Sequence, residues 1–305
     1  LSADKNLNSE TELHHFLGKD IVNFHGLFWP AVLHGAGYRS PTALHVNGYL
    51  TVNGAKMSKS RGTFVMARSY LNAGLAPEAL RYYFASKSSS GVADLDLNLE
   101  DFVAKVNADI VGKFVNIASR CAGFINKQFD GQLATELDDV ETYTHFVSEF
   151  STIQQSYLST DIALAVRQTM ALADIANRYI DDQKPWVLAK NPEQAQKLHA
   201  VCTQVLNLFR VLALALKPIL PQASAQAELF LNAPISQWSD FKAPLLKHRI
   251  EAYSPLFTRI DPKHIQAMTD ASTETVIKPE SVKSVAIKAD TAKPVAIKVA
   301  PTTDT

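Results

Sequence analysis

An α/β layer followed by a mainly α-helical bundle is the fold class that the sequence predicts, and three observations predict it. Between residues 12 and 54 the pattern runs strand, helix, strand, the order that suits the end of a parallel sheet. From Asp101 to about residue 265, apolar residues recur at steps of three and four, as the buried face of a helix requires. Beyond residue 266 the composition turns to Lys, Pro, Thr and Ala, with "VAIK" repeated, which reads as a flexible linker or tail.

Taken in order, residues 12–17, "ELHHFL", read as a short strand ending at Gly18. A helical stretch, "KDIVNFHGLFWPAVLHGAG", follows from Lys19 and is closed by Gly35 and Gly37. Pro30 is expected to kink it, because proline removes a backbone donor. The extended run "ALHVNGYLTVNG" is rich in β-branched and aromatic residues, with Asn-Gly turn signals at 47–48 and 53–54. Pro77 suits the first turn of a short helix, "PEALRYYFAS". Residues 94–99, "DLDLNL", alternate as an extended segment does, and Asn98 stands three before Asp101 as an N-cap would. Phe102, Val106, Ile110, Phe114, Ile117, Cys121 and Phe124 form the stripe of a first long helix. Similar stripes run through Tyr143 to Leu158, Ile162 to Ile180 and Leu198 to Leu216, and four such helices with short connections predict a bundle.

The 305 residues, 47% of them apolar, suffice for a sizeable core and, on length, for two domains. Thirty basic residues balance thirty acidic ones, so any contact with nucleic acid must come from a local patch. Cys121 and Cys202, both inside helical patterns, argue against a disulfide framework and fit a reducing compartment. No Cys-x-x-Cys pair or His/Cys cluster suggests zinc. The most apolar stretch, "VLNLFRVLALAL" at 205–216, contains Asn207 and Arg210 and reads as too short to cross a bilayer. No signal-peptide pattern opens the chain, which begins at Leu1. The expectation is a cytoplasmic chain, free of membrane, whose natural N-terminal part is missing.

"GAKMSKSRGT", residues 54–63, gathers Lys56, Lys59 and Arg61 within six residues. Read alone, it is equally a solvated surface loop. The functional reading has a physical basis: two ammonium groups three residues apart can flank a triphosphate, and Gly54 and Gly62 would let the loop swing. As an α-phosphorus is attacked, charge builds on the pentavalent centre and on the departing pyrophosphate. Positioned cations stabilise that charge more than they stabilise the ground state.

"KMSKS" after a parallel-sheet strand resembles the second signature of class I aminoacyl-tRNA synthetases. "GKDIVNFHGLFWP", "GYLTVNGAKMSKSRGT", "LRYYF" and "DLDLNLEDFVAKVNADIVGK" resemble the methionyl-tRNA synthetases of bacterial type, over residues 12 to about 262. In the isoleucine, leucine and valine enzymes a Gly-Asn pair usually follows the lysine loop, where Arg61-Gly62-Thr63 stands here. The resemblance implies the second part of a Rossmann-like catalytic domain over residues 1–61 and a stem-contact connector over 62–100. An α-helical anticodon-binding domain over 101–265 and a tail over 266–305 complete the expected division. The implied activity is ATP-dependent formation of methionyl-adenylate and transfer to tRNA(Met), with ATP and Mg2+ used and zinc expected only in the missing N-terminal part. A homodimer would form through a missing C-terminal module. The alternatives are a non-catalytic anticodon-binding module or another class I synthetase.

Position by position, Lys56 and Lys59 would steady the triphosphate and pyrophosphate, with Lys59 taking the larger share of transition-state charge. Asp20 would accept hydrogen bonds from the ATP ribose. Phe24, His25 and Trp29 would form the methionine side-chain pocket, His25 and Trp29 being four apart and so on one helix face; an aromatic wall suits a thioether. Asn116 and Arg120, four apart and off the apolar stripe, would read the CAU anticodon with Trp186, which follows Pro185 and would stack on an unpaired base. Without the resemblance, the aromatics read as core, His25 as a satisfied core histidine, Asn116 and Arg120 as a solvated face, and Trp186 as a hydrophobic staple. The first class I signature, a His-x-Gly-His loop, is absent; His14-His15, His25-Gly26, His34-Gly35 and His45 do not supply it.

Overall fold

A computed structural model describes residues 9–57, 65–88 and 91–277, with side chains through 272. Strand β1 (His14–Gly18) pairs in parallel with β2 (Ala43–Asn47), Phe16 opposite His45. The crossover between them is helical but not one helix. A 3-10 turn at Lys19–Ile21 and a π-turn at Phe24–Phe28 lead into α1 (Trp29–Gly35). Pro30 therefore does not kink a continuous helix. It enters at the start of α1, where a missing donor costs little, and the wide turn ahead of it absorbs the irregularity. In that turn Trp29 N–H bonds to the Phe24 carbonyl, so the backbone aligns Phe24, rather than His25, with Trp29.

β3 (Leu50–Val52) and β4 (Ala55–Lys56) form a hairpin on Asn53-Gly54, whose φ angles of 48° and 74° are those a two-residue primed turn demands. Asn47-Gly48 is no hairpin turn: the chain passes there from the first sheet to a second. Gly48 is needed for close approach, since a Cβ there would lie 2.2 Å from the Ala93 carbonyl oxygen. The second sheet has the order β4-β3-β5, with β5 (Leu95–Leu97) parallel to β3. α2 (Ala67–Asn72) and α3 (Pro77–Lys87), with Pro77 in its first turn, lie between the hairpin and β5 in the chain.

Asn98 caps α4 (Leu99–Val106), its Oδ1 accepting from Asp101 N–H at 2.9 Å. The helix continues through a π segment, Asn107–Val115, into α5 (Asn116–Gln128). Phe102, Val106, Ile110, Phe114, Ile117 and Cys121 are buried as expected, and the last buried position falls on Ile125 instead of Phe124. α6 (Val140–Leu158) and α7 (Ile162–Gln183) follow, then the short α8 (Pro185–Leu188), α9 (Ala195–Leu216), α10 (Pro221–Leu231) and α11 (Pro262–Ile277).

α9 is the core of the bundle, packed against α5, α6, α7 and α10. The run Val205–Leu216 proves to be the second half of a 25-residue helical stretch, Pro192–Leu216, long enough to span a bilayer; neighbouring helices bury 94% of its apolar window instead. Its polar residues serve packing. Thr203 Oγ1 accepts from Ala134 N–H at 2.8 Å, and Asn207 exchanges two bonds with the Leu245 backbone at 2.6 and 3.1 Å. Arg210 donates to the Ala243 carbonyl at 3.2 Å.

The Asn207 and Arg210 bonds hold a non-helical stretch, residues 232–261, so helix does not fill 101–265 as the periodicity suggested. Pro234, Pro244 and Pro255 each remove a donor there, and α9 partners the backbone on either side of Pro244. α11 carries helix past residue 266 into the stretch read as tail, because Met268 and Ser272 are buried and the helix packs on α2. A chain of side chains links the halves: His45 Nδ1, on β2, lies 3.2 Å from Thr160 Oγ1 in the α6–α7 turn.

Candidate functional site

The lysine loop leaves the hairpin at Lys56, an exposed residue of β4 opposite Thr51. Lys59, with Arg61 and Gly62, lies outside the described residues. Gly54 is not a swing point. Its N–H donates to Asp96 Oδ1 at 2.8 Å, the same oxygen that accepts from Thr51 Oγ1 at 2.7 Å. Asn53 N–H reaches the Leu97 carbonyl at 3.1 Å, and Asn53 Oδ1 accepts from Leu99 N–H at 3.0 Å. The glycine is there for its positive φ, and β5 fixes the base of the loop.

The acidic residues around β5 tie three parts together. Asp94 accepts from Lys19 Nζ at 2.6 Å and from Tyr49 N–H at 2.8 Å, and these bonds, Lys19 first, hold its carboxyl below the ordinary carboxylate range. Lys19 Nζ also stands 4.5 Å from the centroid of the Tyr49 ring. Asp101 meets Lys87 Nζ at 2.8 Å and the Tyr83 hydroxyl at 2.9 Å, and the Lys87 bond is the main reason that the Asp101 carboxyl lies below the ordinary carboxylate range. Asp94 thus anchors the crossover, Asp96 the hairpin and Asp101 helix α3.

Asp20, next to Lys19, is exposed. Phe24 and Trp29 are 61% and 43% exposed, so they are not core aromatics, and the described residues do not enclose them. Leu27 and Phe28 add to the same uncovered apolar surface. His25 is half-buried, its Nδ1 3.1 Å from Nδ1 of His15.

At the far end, the helix made of the π segment and α5 runs parallel to α7, and three rungs join them. Lys113 pairs with Asp174 at 2.8 Å, Asn116 Nδ2 donates to Asn177 Oδ1 at 3.3 Å, and Arg120 Nη2 donates to Asp181 Oδ1 at 2.5 Å. The guanidinium of Arg120 also lies 4.8 Å from the ring centroid of Trp186. α7 ends at Lys184, left-handed at φ 47°, and the reversal sets α8 and its 39%-exposed indole beside α5. Asn116, Arg120 and Trp186 therefore converge on one end of the bundle. The α7 partners were missed, although Asp174, Asn177 and Asp181 repeat the three-then-four spacing of Lys113, Asn116 and Arg120. Among the described residues no group of three His, Cys, Asp or Glu side chains is arranged to hold a metal ion.

Residues 4–122 match the family model of the class I tRNA synthetases (M), and residues 122–270 match the anticodon binding domain of methionyl tRNA ligase; the two meet inside α5. A methionine--tRNA ligase of Xanthomonas oryzae pv. oryzae (strain PXO99A) is 65% identical over 286 residues, 94% of this chain and 41% of the relative. One from Stenotrophomonas maltophilia (strain R551-3) is 65% identical over 288 residues, again 94% and 41%. The chain spans about two-fifths of the length of the curated relatives it matches. A Mycobacterium tuberculosis methionyl-tRNA synthetase in complex with methionyl-adenylate shares its fold, with a TM-score of 0.70 at 23% identity over 81% of this chain and 50% of that one.

Proposed function

Because the chain belongs to the methionyl-tRNA synthetase family of class I tRNA synthetases, we propose that it serves a methionine--tRNA ligase. That enzyme condenses methionine with ATP to methionyl-adenylate and pyrophosphate, then moves the methionyl group to the 3′ end of tRNA(Met). A cytoplasmic site of action follows from such a role in translation. The observation that carries the reading is the end of the ladder, where a half-exposed indole stands beside the Arg120 guanidinium, one helical turn along α5 from the Asn116 amide. Single-stranded RNA is read by that combination: a stacking platform with hydrogen-bond donors for base edges. One stacked base contributes roughly 1–3 kcal/mol.

In the α/β half, Lys56 and Lys59 take the phosphates, Asp20 the ribose, and Phe24, His25 and Trp29 the methionine side chain. Mg2+ would enter as the nucleotide's own counter-ion; among the described residues no cluster of three His, Cys, Asp or Glu side chains could hold a metal ion. The discriminating experiment is paired. A tRNA with a CAU anticodon should bind the chain, and Trp186→Ala should weaken that binding about tenfold, with a changed anticodon losing as much. Equal affinity for both anticodons would refute the anticodon assignment. The second reading, an RNA-binding module without catalysis, is separated by ATP–pyrophosphate exchange: the chain by itself is expected to show little, and the full-length ligase to show it strongly.

A further inference from the structure

Consecutive residues on a strand point to opposite faces, and β1 carries two histidines in a row. His14 turns to His45 on β2, their nitrogens 2.9 Å apart. His15 turns to the crossover, where the rings of His15 and His25 meet edge to face at 88° with their Nδ1 atoms 3.1 Å apart.

We propose that His15 is a positioning residue for the methionine site: it donates the one proton between the two Nδ1 atoms and so makes His25 present Nε2–H to the substrate. The proposal rests on the reading of His25 as part of the methionine pocket. Two nitrogens at this distance hold one N–H between them, since a second would set donor against donor. With His15 as donor, Nδ1 of His25 is bare and its remaining proton sits on Nε2. With His25 as donor, its Nε2 is bare. A thioether sulfur is a weak acceptor with no proton to give. A bare Nε2 would face it lone pair to lone pair, so only the first arrangement makes the contact attractive. Both residues are held in place by backbone, His15 in the β1–β2 ladder opposite Leu44 and His25 inside the π-turn.

The test has two arms. In 15N spectra of the histidine-labelled chain, His25 is expected as the Nε2–H tautomer. His15→Phe should give a mixture of tautomers, and His15→Asn, whose side-chain amide can donate from nearly the same place, should restore the single form. In the full-length ligase carrying this segment, His15→Phe should raise the methionine Kd about fivefold, as loss of one hydrogen bond does, at unchanged ATP affinity, with His15→Asn near the parent. Intact amide spectra of the variants confirm that each folds. An unchanged His25 tautomer in His15→Phe overturns the proposal, as does Nδ1–H on His25 in the parent. A tautomer shift with unaltered methionine affinity also overturns it, through the pocket assignment on which it rests.

Discussion

Arg120 holds Asp181 at 2.5 Å with one edge of its guanidinium and lies against the indole of Trp186, 4.8 Å from the ring centroid. The pair is the last rung of the ladder between α5 and α7, and the geometry needs a planar, forked cation. Lysine keeps the charge but has neither the plane nor the fork. Arg120→Lys should therefore lower affinity for a CAU-bearing tRNA about tenfold. Because Asp181 is largely exposed, stability should change by less than about 1 kcal/mol. Filter binding and a thermal melt on the same preparation check both; a large loss of stability with normal tRNA binding would reverse the assignment.

Asp96 Oδ1 accepts from both Gly54 N–H and Thr51 Oγ1 and so holds the hairpin that presents Lys56. Asp96→Ala leaves both donors to water, for a cost of about 0.5–1.5 kcal/mol per bond. In the full-length ligase, pyrophosphate exchange should fall while tRNA affinity, governed by the far end of the bundle, stays unchanged. A parallel loss in both assays would mean general unfolding instead.

What was legible follows from the range of each rule. The hairpin on Asn53-Gly54, the cap at Asn98, Pro77 in the first turn of α3 and the stripe from Phe102 to Cys121 depend on neighbours a few residues away, and all could be read. The partner of β5 is β3, more than forty residues earlier, and Asp174, Asn177 and Asp181 face residues 61 positions before them. No periodicity encodes such separations. The π-turn at Phe24–Phe28 escaped because an apolar helical pattern does not distinguish bonding to the fourth residue from bonding to the fifth. Phe24, His25, Trp29, Arg120 and Trp186 drew attention as a site only through resemblance, since aromatics at helical spacing otherwise signal packing.

Lys59 is expected to act on charge that appears only as pyrophosphate departs. Lys59→Ala in the full-length ligase should slow adenylate formation by the equivalent of about 3–4 kcal/mol, as loss of a preorganised electrostatic contact does, with methionine affinity nearly unchanged. Presteady-state pyrophosphate release and equilibrium methionine binding separate the two quantities. A weakened methionine Kd at normal kcat would count against the role.

The lowered pKa of Asp101, held chiefly by Lys87, carries a definite sign. A carboxyl whose folded pKa lies below its unfolded value, about 3.9, contributes stability that is fully present above that value. The contribution is lost as pH falls through the depressed folded pKa. Lys87→Met removes the main cause, so stability near neutrality should fall, by less than about 1 kcal/mol because the pair is half-exposed, and the acid-unfolding midpoint should move to higher pH. A circular-dichroism titration from pH 6 to pH 2 reads the shift directly, and coincident curves would contradict the sign.

The link between the two halves allows a proton count. Glu12 Oε2 lies 2.9 Å from His14 Nε2, His14 Nδ1 lies 2.9 Å from His45 Nε2, and His45 Nδ1 lies 3.2 Å from Thr160 Oγ1. A carboxylate only accepts, so His14 Nε2 bears a proton; His45 then donates to His14, and the Thr160 hydroxyl donates to His45. The relay needs a ring nitrogen at each side of His45. Asp161, beside Thr160, is already engaged in capping α7 through Leu164 N–H at 3.0 Å and does not replace it. His45→Phe should therefore detach the α6–α7 turn from β2, and hydrogen exchange at residues 159–161 should accelerate several-fold at constant pH. His45→Gln, whose side-chain amide can both donate and accept, should recover part of the protection; exchange in His45→Phe equal to the parent's would remove the histidine from the explanation.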